Sequence, residues 1–115
     1  MARASLARIE RVERLNGVFA ALADPTRRAI LERLARGEAS VTEVAEPFGM
    51  SLNAVSKHIR VLERSGLVRR RVAGRHHYLV FDHRPLADAD GWLGRARAFW
   101  NARLDELEKV LRERE

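Results

Sequence analysis

Residues 51–81 read SLNAVSKHIRVLERSGLVRRRVAGRHHYLVF, and the hydrophobic period changes within them. Up to Arg64 the apolar residues Val55, Ile59 and Leu62 fall at i, i+4 and i+7, the spacing of one buried helix face. Ser51 supplies an N-cap oxygen and Gly66 a stop, so the segment predicts a helix over 51–65. Asn53, Lys57, Arg60 and Arg64 form a stripe on the opposite face. After Gly66, Leu67–Val72 and His76–Phe81 are short runs of β-branched and aromatic residues joined by Ala73 and Gly74, which predicts a hairpin.

The flanking sequence is helical in pattern. Leu6, Ile9, Val12, Leu15, Phe19 and Leu22 recur every three or four positions and predict a helix over about 6–22. Asp24 as N-cap and Pro25 in the first turn open a second helix, through Ile30, Leu31 and Leu34 to Gly37. Ser40 and Glu43 have capping-box spacing, opening a short third helix that carries Val44, Ala45 and Phe48 and ends at Gly49, its end made irregular by Pro47. A last stripe of Leu93, Ala96, Trp100, Leu104, Leu107 and Leu111 predicts a helix over about 86–112, supported by Asp105 with Lys109 and Glu108 with Arg112. The expected fold is mainly α with a small β-hairpin: five helices and a two-stranded wing in one domain, 1–115.

Composition narrows the function. With 115 residues, 46% hydrophobic and 33% charged, the chain has material for one compact core. It contains no cysteine, which removes disulfides, thiolate metal sites and thiol switches. Its longest apolar run, Val18 to Ala23, is far short of the ~20 residues that span a bilayer, and Glu10, Arg11, Glu13 and Arg14 break any signal-peptide core, so a cytoplasmic protein with no membrane partner is expected. The net charge of +6 resides in residues 57–75, where seven basic side chains face only Glu63. Such a concentrated excess points to a polyanion-binding surface.

Two short helices around Gly49, with Ala45 small enough for close approach and Val55 packing between them, fit a helix-turn-helix in which Gly49 takes a left-handed turn. Ser51, Asn53, Ser56, Lys57 and Arg60 then lie where base edges are met in a major groove, and Arg70, Arg71 and Arg75 on the hairpin lie where a wing follows the phosphate backbone. The last helix would be about 40 Å long, more than one small domain can cover. Its residues Leu93, Trp100, Leu104, Leu107 and Leu111, with Leu6, Ile9 and Val12 of the first helix, are expected to pack on a two-fold mate.

The stretch ALADPTRRAILERLARGEASVTEVAEPFGMSLNAVSKHIRVLERSGLVRRRVAGRHHYLV resembles the ArsR/SmtB group of bacterial winged-helix repressors. The resemblance rests on Leu22–Arg28 (LADPTRR), Ser56–Ile59 (SKHI) with Val61 and Leu62, Ser65–Val68 (SGLV), and Gly74 and Arg75 before Tyr78. The FWNARLDELEKVL end resembles the last helix of some members. It implies a homodimer that binds a palindromic operator in double-stranded DNA and represses until a signal releases it.

The departures from the metal-sensing members bear on that signal. Ser40 and Thr42 stand at the positions matching the thiolate motif, and no histidine follows His83. The alternative of a metal-responsive repressor must therefore rely on His58, His76, His77, His83 and aspartates, with His76 and His77 pointing to opposite faces of a regular strand. No cofactor is expected, and the effector stays open between a protein or small-molecule signal and simple autorepression. A non-specific architectural binder is the other alternative, though such a protein has no need of Asn53 and Ser56 among its basic residues. An enzyme would have to be built on Asp82 and His83, which no nucleophile motif or phosphate loop accompanies. Those residues with Pro85 read better as the turn into the last helix. Phe99 and Trp100 fit core or dimer packing better than a ligand pocket.

Overall fold

The computed structural model describes residues 2–114. Helix α1 (Ala2–Leu22) is followed by α2 (Pro25–Ala35), strand β1 (Ala39–Ser40), α3 (Val41–Ala45), α4 (Leu52–Arg64), strands β2 (Val68–Ala73) and β3 (His76–Phe81), and α5 (Leu86–Glu113). The predicted caps form. The Asp24 carboxylate accepts from the Arg27 amide at 3.0 Å, the Ser51 hydroxyl accepts from the Ala54 amide at 3.1 Å, and Ser40 and Glu43 make a reciprocal capping box. The C-terminal carbonyls of α1, which have no partner within that helix, are met by α2: Arg27 donates to Ala20 and Ala21 O, each at 2.8 Å, and Arg28 donates to Leu22 O at 2.7 Å.

The core sits where α2, α4 and the sheet converge, with Ile30, Val44, Val55, Ile59, Leu62 and Leu79 fully enclosed. The sheet departs from the two-stranded expectation. It has three strands in the order β1-β3-β2, because Ala39 and Ser40 pair antiparallel with Leu79 and Tyr78. Hydrophobic period cannot reveal a strand of two residues. The hairpin turn also shifts: Ala73 pairs with His76, so Gly74 and Arg75 form the turn, with Gly74 at φ +63° as a two-residue hairpin requires.

Helix α3 stops at Ala45, short of the expected Gly49. Pro47 has no amide hydrogen and its ring would clash with the carbonyl of residue 43 in a continued helix. Gly49 is not among the glycines with positive φ, so the left-handed turn expected there is absent; Gly37, Gly66 and Gly74 take positive φ instead. The path between α3 and α4 is made by the turn after Ala45, with Phe48 N donating to Ala45 O at 3.0 Å.

Helix α1 begins at Ala2, before the predicted start, and α5 runs 28 residues. Only Ala89 of α5 is buried, and its early turns are fixed to α1 by an edge-on contact of Trp92 with Phe19. The rest of α5 projects. The radius of gyration is 19.7 Å, against about 13 Å for a compact domain near this length.

Candidate nucleic-acid interface

Helix α4 presents two chemically opposed faces. Val55, Ile59 and Leu62 are sealed against the core, which turns Asn53, Lys57, Arg60 and Arg64 out to solvent, with Ser56 half-buried at the edge of that stripe. Ser51 lies at the exposed start of the helix, but its hydroxyl is engaged as the cap. Leu52, 54% exposed beside it, is an apolar group at the tip of the helix that charge counting passed over. His58 does not join the stripe. Its ring turns toward the start of α2, where Nδ1 lies 3.7 Å from the Asp24 carboxylate and 3.4 Å from Arg27 Nη1. The Asp24 carboxyl is held below its ordinary pKa, first by the Arg27 amide donating to it and then by the nearby His58 and Arg27 charges.

The wing arginines divide into held and free. Arg70 reaches back to Glu63 on α4, with Nη2 at 2.7 Å and Nε at 3.4 Å from the carboxylate. Arg71 forms a two-point pair with Glu38, at 2.6 and 2.9 Å, and lies 4.6 Å over the Tyr78 ring. This pair lowers the Glu38 pKa and raises that of Arg71, chiefly through the hydrogen bonds. Arg69 stands 3.5 Å from Asp82. Among the described residues Arg75, at the hairpin tip, has no carboxylate within ion-pair distance, nor have Lys57, Arg60 and Arg64. The wing arginines are legible in the sequence, whereas the carboxylates that pair with Arg69, Arg70 and Arg71 are not, and Arg64 belongs to the α4 stripe without an assigned role.

Asp82 is a structural anchor. Its nearly buried carboxylate accepts from Arg84 Nη2 at 2.7 Å, Arg84 Nε at 2.9 Å and the Arg84 amide at 3.1 Å, which pushes its pKa well below the usual carboxylate range. Among the described residues no three of His, Cys, Asp and Glu gather into a metal-holding group, and no helix is long and apolar enough to cross a membrane.

A short helix, a turn, an exposed polar and basic helix face and an adjoining basic hairpin define a winged helix-turn-helix. Comparison with known proteins agrees. A family model described as a helix-turn-helix domain matches residues 22–71. The transcriptional repressor SdpR of Bacillus subtilis (strain 168) is 32% identical over 79 residues, spanning 69% of this chain and 88% of its own length. The crystal structure of an ArsR family transcriptional regulator superimposes with a TM-score of 0.73 at 46% identity, covering 77% of this chain and 92% of that one. The homodimeric winged helix-turn-helix DNA-binding domain of a possible ArsR-family regulator from Mycobacterium bovis gives a TM-score of 0.59 at 28% identity, covering 83% of this chain and 87% of that one. The chain belongs to the ArsR/SmtB family of winged helix-turn-helix regulators and is a DNA-binding transcriptional regulator.

Proposed function

We propose that this protein is a cytoplasmic homodimeric repressor that binds a palindromic operator, with no catalytic role. The observation that carries the reading is the division of α4, whose fully buried Val55, Ile59 and Leu62 fix the exposed Asn53, Lys57 and Arg60 in one orientation. A face held so rigidly can be matched to the donor and acceptor pattern of a major groove. In this reading Asn53, Ser56 and Lys57 contact base edges, while Ser51 orients the helix start. Arg60 and Arg75 contact phosphates. Arg70 and Arg71 add phosphate contacts through the donors that Glu63 and Glu38 leave free.

The whole chain, 1–115, acts as one domain in which α1 and α5 form the dimerisation part. The homodimeric Mycobacterium bovis neighbour and the exposed apolar residues Leu6, Ile9, Val12, Leu93, Trp100, Leu104, Leu107 and Leu111 support that division. The name of SdpR as a repressor supports repression over activation.

Selection of duplexes from a random pool tests the proposal. A recovered inverted repeat with half-sites about 34 Å apart, or one helical turn, is expected. Asn53→Ala and Lys57→Ala should each cost about 1–3 kcal/mol on that duplex and relax preference at particular positions. Equal affinity for selected and random duplexes at physiological salt would favour the architectural alternative and overturn the repressor reading.

A further inference from the structure

Large apolar side chains left in water are distributed unevenly over the molecule. Among the described residues all but three lie on α1 and α5, the helices of the proposed dimer contact, and the three are Met50, Leu52 and Val72. Met50 and Leu52 flank the Ser51 cap at the start of α4, and Val72 lies on the wing, so this remainder falls on the winged helix-turn-helix motif. Exposure alone says little about a single leucine, and its place decides. Leu52 is the first residue of α4, in a turn fixed by the Ala54 amide donating to Ser51 Oγ at 3.1 Å, and it does not pack against the core. Leu52, Ser56 and Glu63 fall at i, i+4 and i+11, one row along the helix. The far end of that row is tied to the wing, since Arg70 Nη2 lies 2.7 Å from the Glu63 carboxylate. The leucine thus stands at the open end of the α4 side that the wing flanks.

We propose that Leu52 is a specificity-determining residue that reads the 5-methyl group of a thymine in the major groove. The residues at the N-terminal end of a recognition helix are the ones that meet base edges. Asn53, Ser56 and Lys57 can match donors and acceptors there, but the thymine methyl is the one apolar feature of those edges and is matched by an apolar side chain. Contact with it withdraws both the methyl and the exposed leucine from water. An apolar protein partner would compete for the same side chain. Lys57 and Arg60 on the same helix, which have no carboxylate within ion-pair distance among the described residues, favour the polyanion. The proposal rests on the operator reading above and adds to it an apolar base contact that the charged stripe does not supply.

The test removes the methyl and nothing else. In the duplex recovered by selection, each thymine is replaced in turn by deoxyuridine, which pairs identically but lacks the 5-methyl group, and binding of the full chain is followed by fluorescence anisotropy. One thymine position per half-site should stand out, at which the replacement weakens binding about fourfold for each half-site changed, the effect of one methyl-sized group returned to water. Leu52→Ala should bind the parent duplex at least about fourfold more weakly and be indifferent to deoxyuridine at that position. Lys57→Ala, though weaker overall, should keep the methyl sensitivity. Leu52 lies outside the core and alanine is a better helix former, so Leu52→Ala should fold with an unchanged denaturation midpoint. A selected half-site without thymine, methyl sensitivity that persists in Leu52→Ala, or operator affinity unchanged in that variant would overturn the contact, the last assigning the leucine to a protein partner. Selective operator binding with no methyl sensitivity removes the leucine contact alone, whereas equal affinity for selected and random duplexes removes the operator reading and this contact with it.

Discussion

Arg75 and Arg71 lie on the same hairpin, yet they differ in what each must give up to meet a phosphate. Arg75 is unpaired among the described residues, whereas Arg71 has already spent its Nε and one Nη on Glu38. Arg75→Ala should therefore lower affinity for every duplex and flatten the log–log salt slope by about 0.9 per lost contact, while Arg71→Ala changes the slope by less. Salt titrations of the two variants check this, and equal slope changes would contradict it. Asp82 yields a pH prediction of fixed sign. Its pKa in the fold lies below its unfolded value, so the unfolded chain binds the extra proton and the carboxylate's contribution is complete above the ordinary carboxyl range, about pH 4. That contribution is lost as pH falls below this range. Asp82→Asn should be less stable at neutral pH and lose less further stability between about pH 4 and about pH 2, as read from urea midpoints. Asp82 is legible in the sequence as a turn residue because His83 and Pro85 follow it. The Glu38–Arg71 pair escaped notice because 33 residues separate its members, and only the pairing of β1 with β3 brings them together.

Among the elements, those with strong periodicity were legible from their residues, and those built by tertiary contact were not. Helix α4 could be read from Val55, Ile59 and Leu62 because burial of one face imposes the period directly. Strand β1 could not, since two residues carry no period and Ala39 becomes a strand only by meeting Leu79. The glycines show the same division. Gly66 ends α4 at φ +82°, and a Cβ there would meet Pro85 Cγ at 3.4 Å. Gly49 has neither constraint, with nothing within 4 Å of an added Cβ. Gly66→Ala should therefore destabilise by about 1–2 kcal/mol, the cost of a left-handed alanine. Gly49→Ala should be neutral or stabilising by up to about 1 kcal/mol, because it restricts only the unfolded chain. Denaturant midpoints at unchanged m-value distinguish these outcomes, and a destabilising Gly49→Ala would restore the turn role that the sequence suggested.

At the scale of the whole molecule the problem is the covering of α5. Its 28 residues extend about 42 Å at 1.5 Å per residue, and the fold's principal extents are 70 × 41 × 21 Å. Along that projection Trp100 is 63% exposed, Leu104 59%, Leu107 55% and Leu111 57%, a continuous apolar face that a soluble monomer would leave in water. The same chain's α1 carries a second such row in Leu6, Ile9 and Val12. In the proposed dimer a two-fold mate would cover both rows at once, because an isologous contact places each protomer's row against its counterpart. The proposed dimer would also serve recognition: with one α4 on each half-site, linking two converts the second contact into an intramolecular one with a gain of about 10²–10⁴ in avidity. Leu104→Glu combined with Leu107→Glu should therefore yield a monomer at micromolar concentration by sedimentation equilibrium. Because neither side chain contributes to the buried core, cooperative unfolding should persist. Affinity for a full operator should fall toward that for a single half-site. A wild-type chain that sediments as a monomer, or a double variant that remains a dimer with full operator affinity, would place the contact elsewhere and leave this face of α5 without its proposed role.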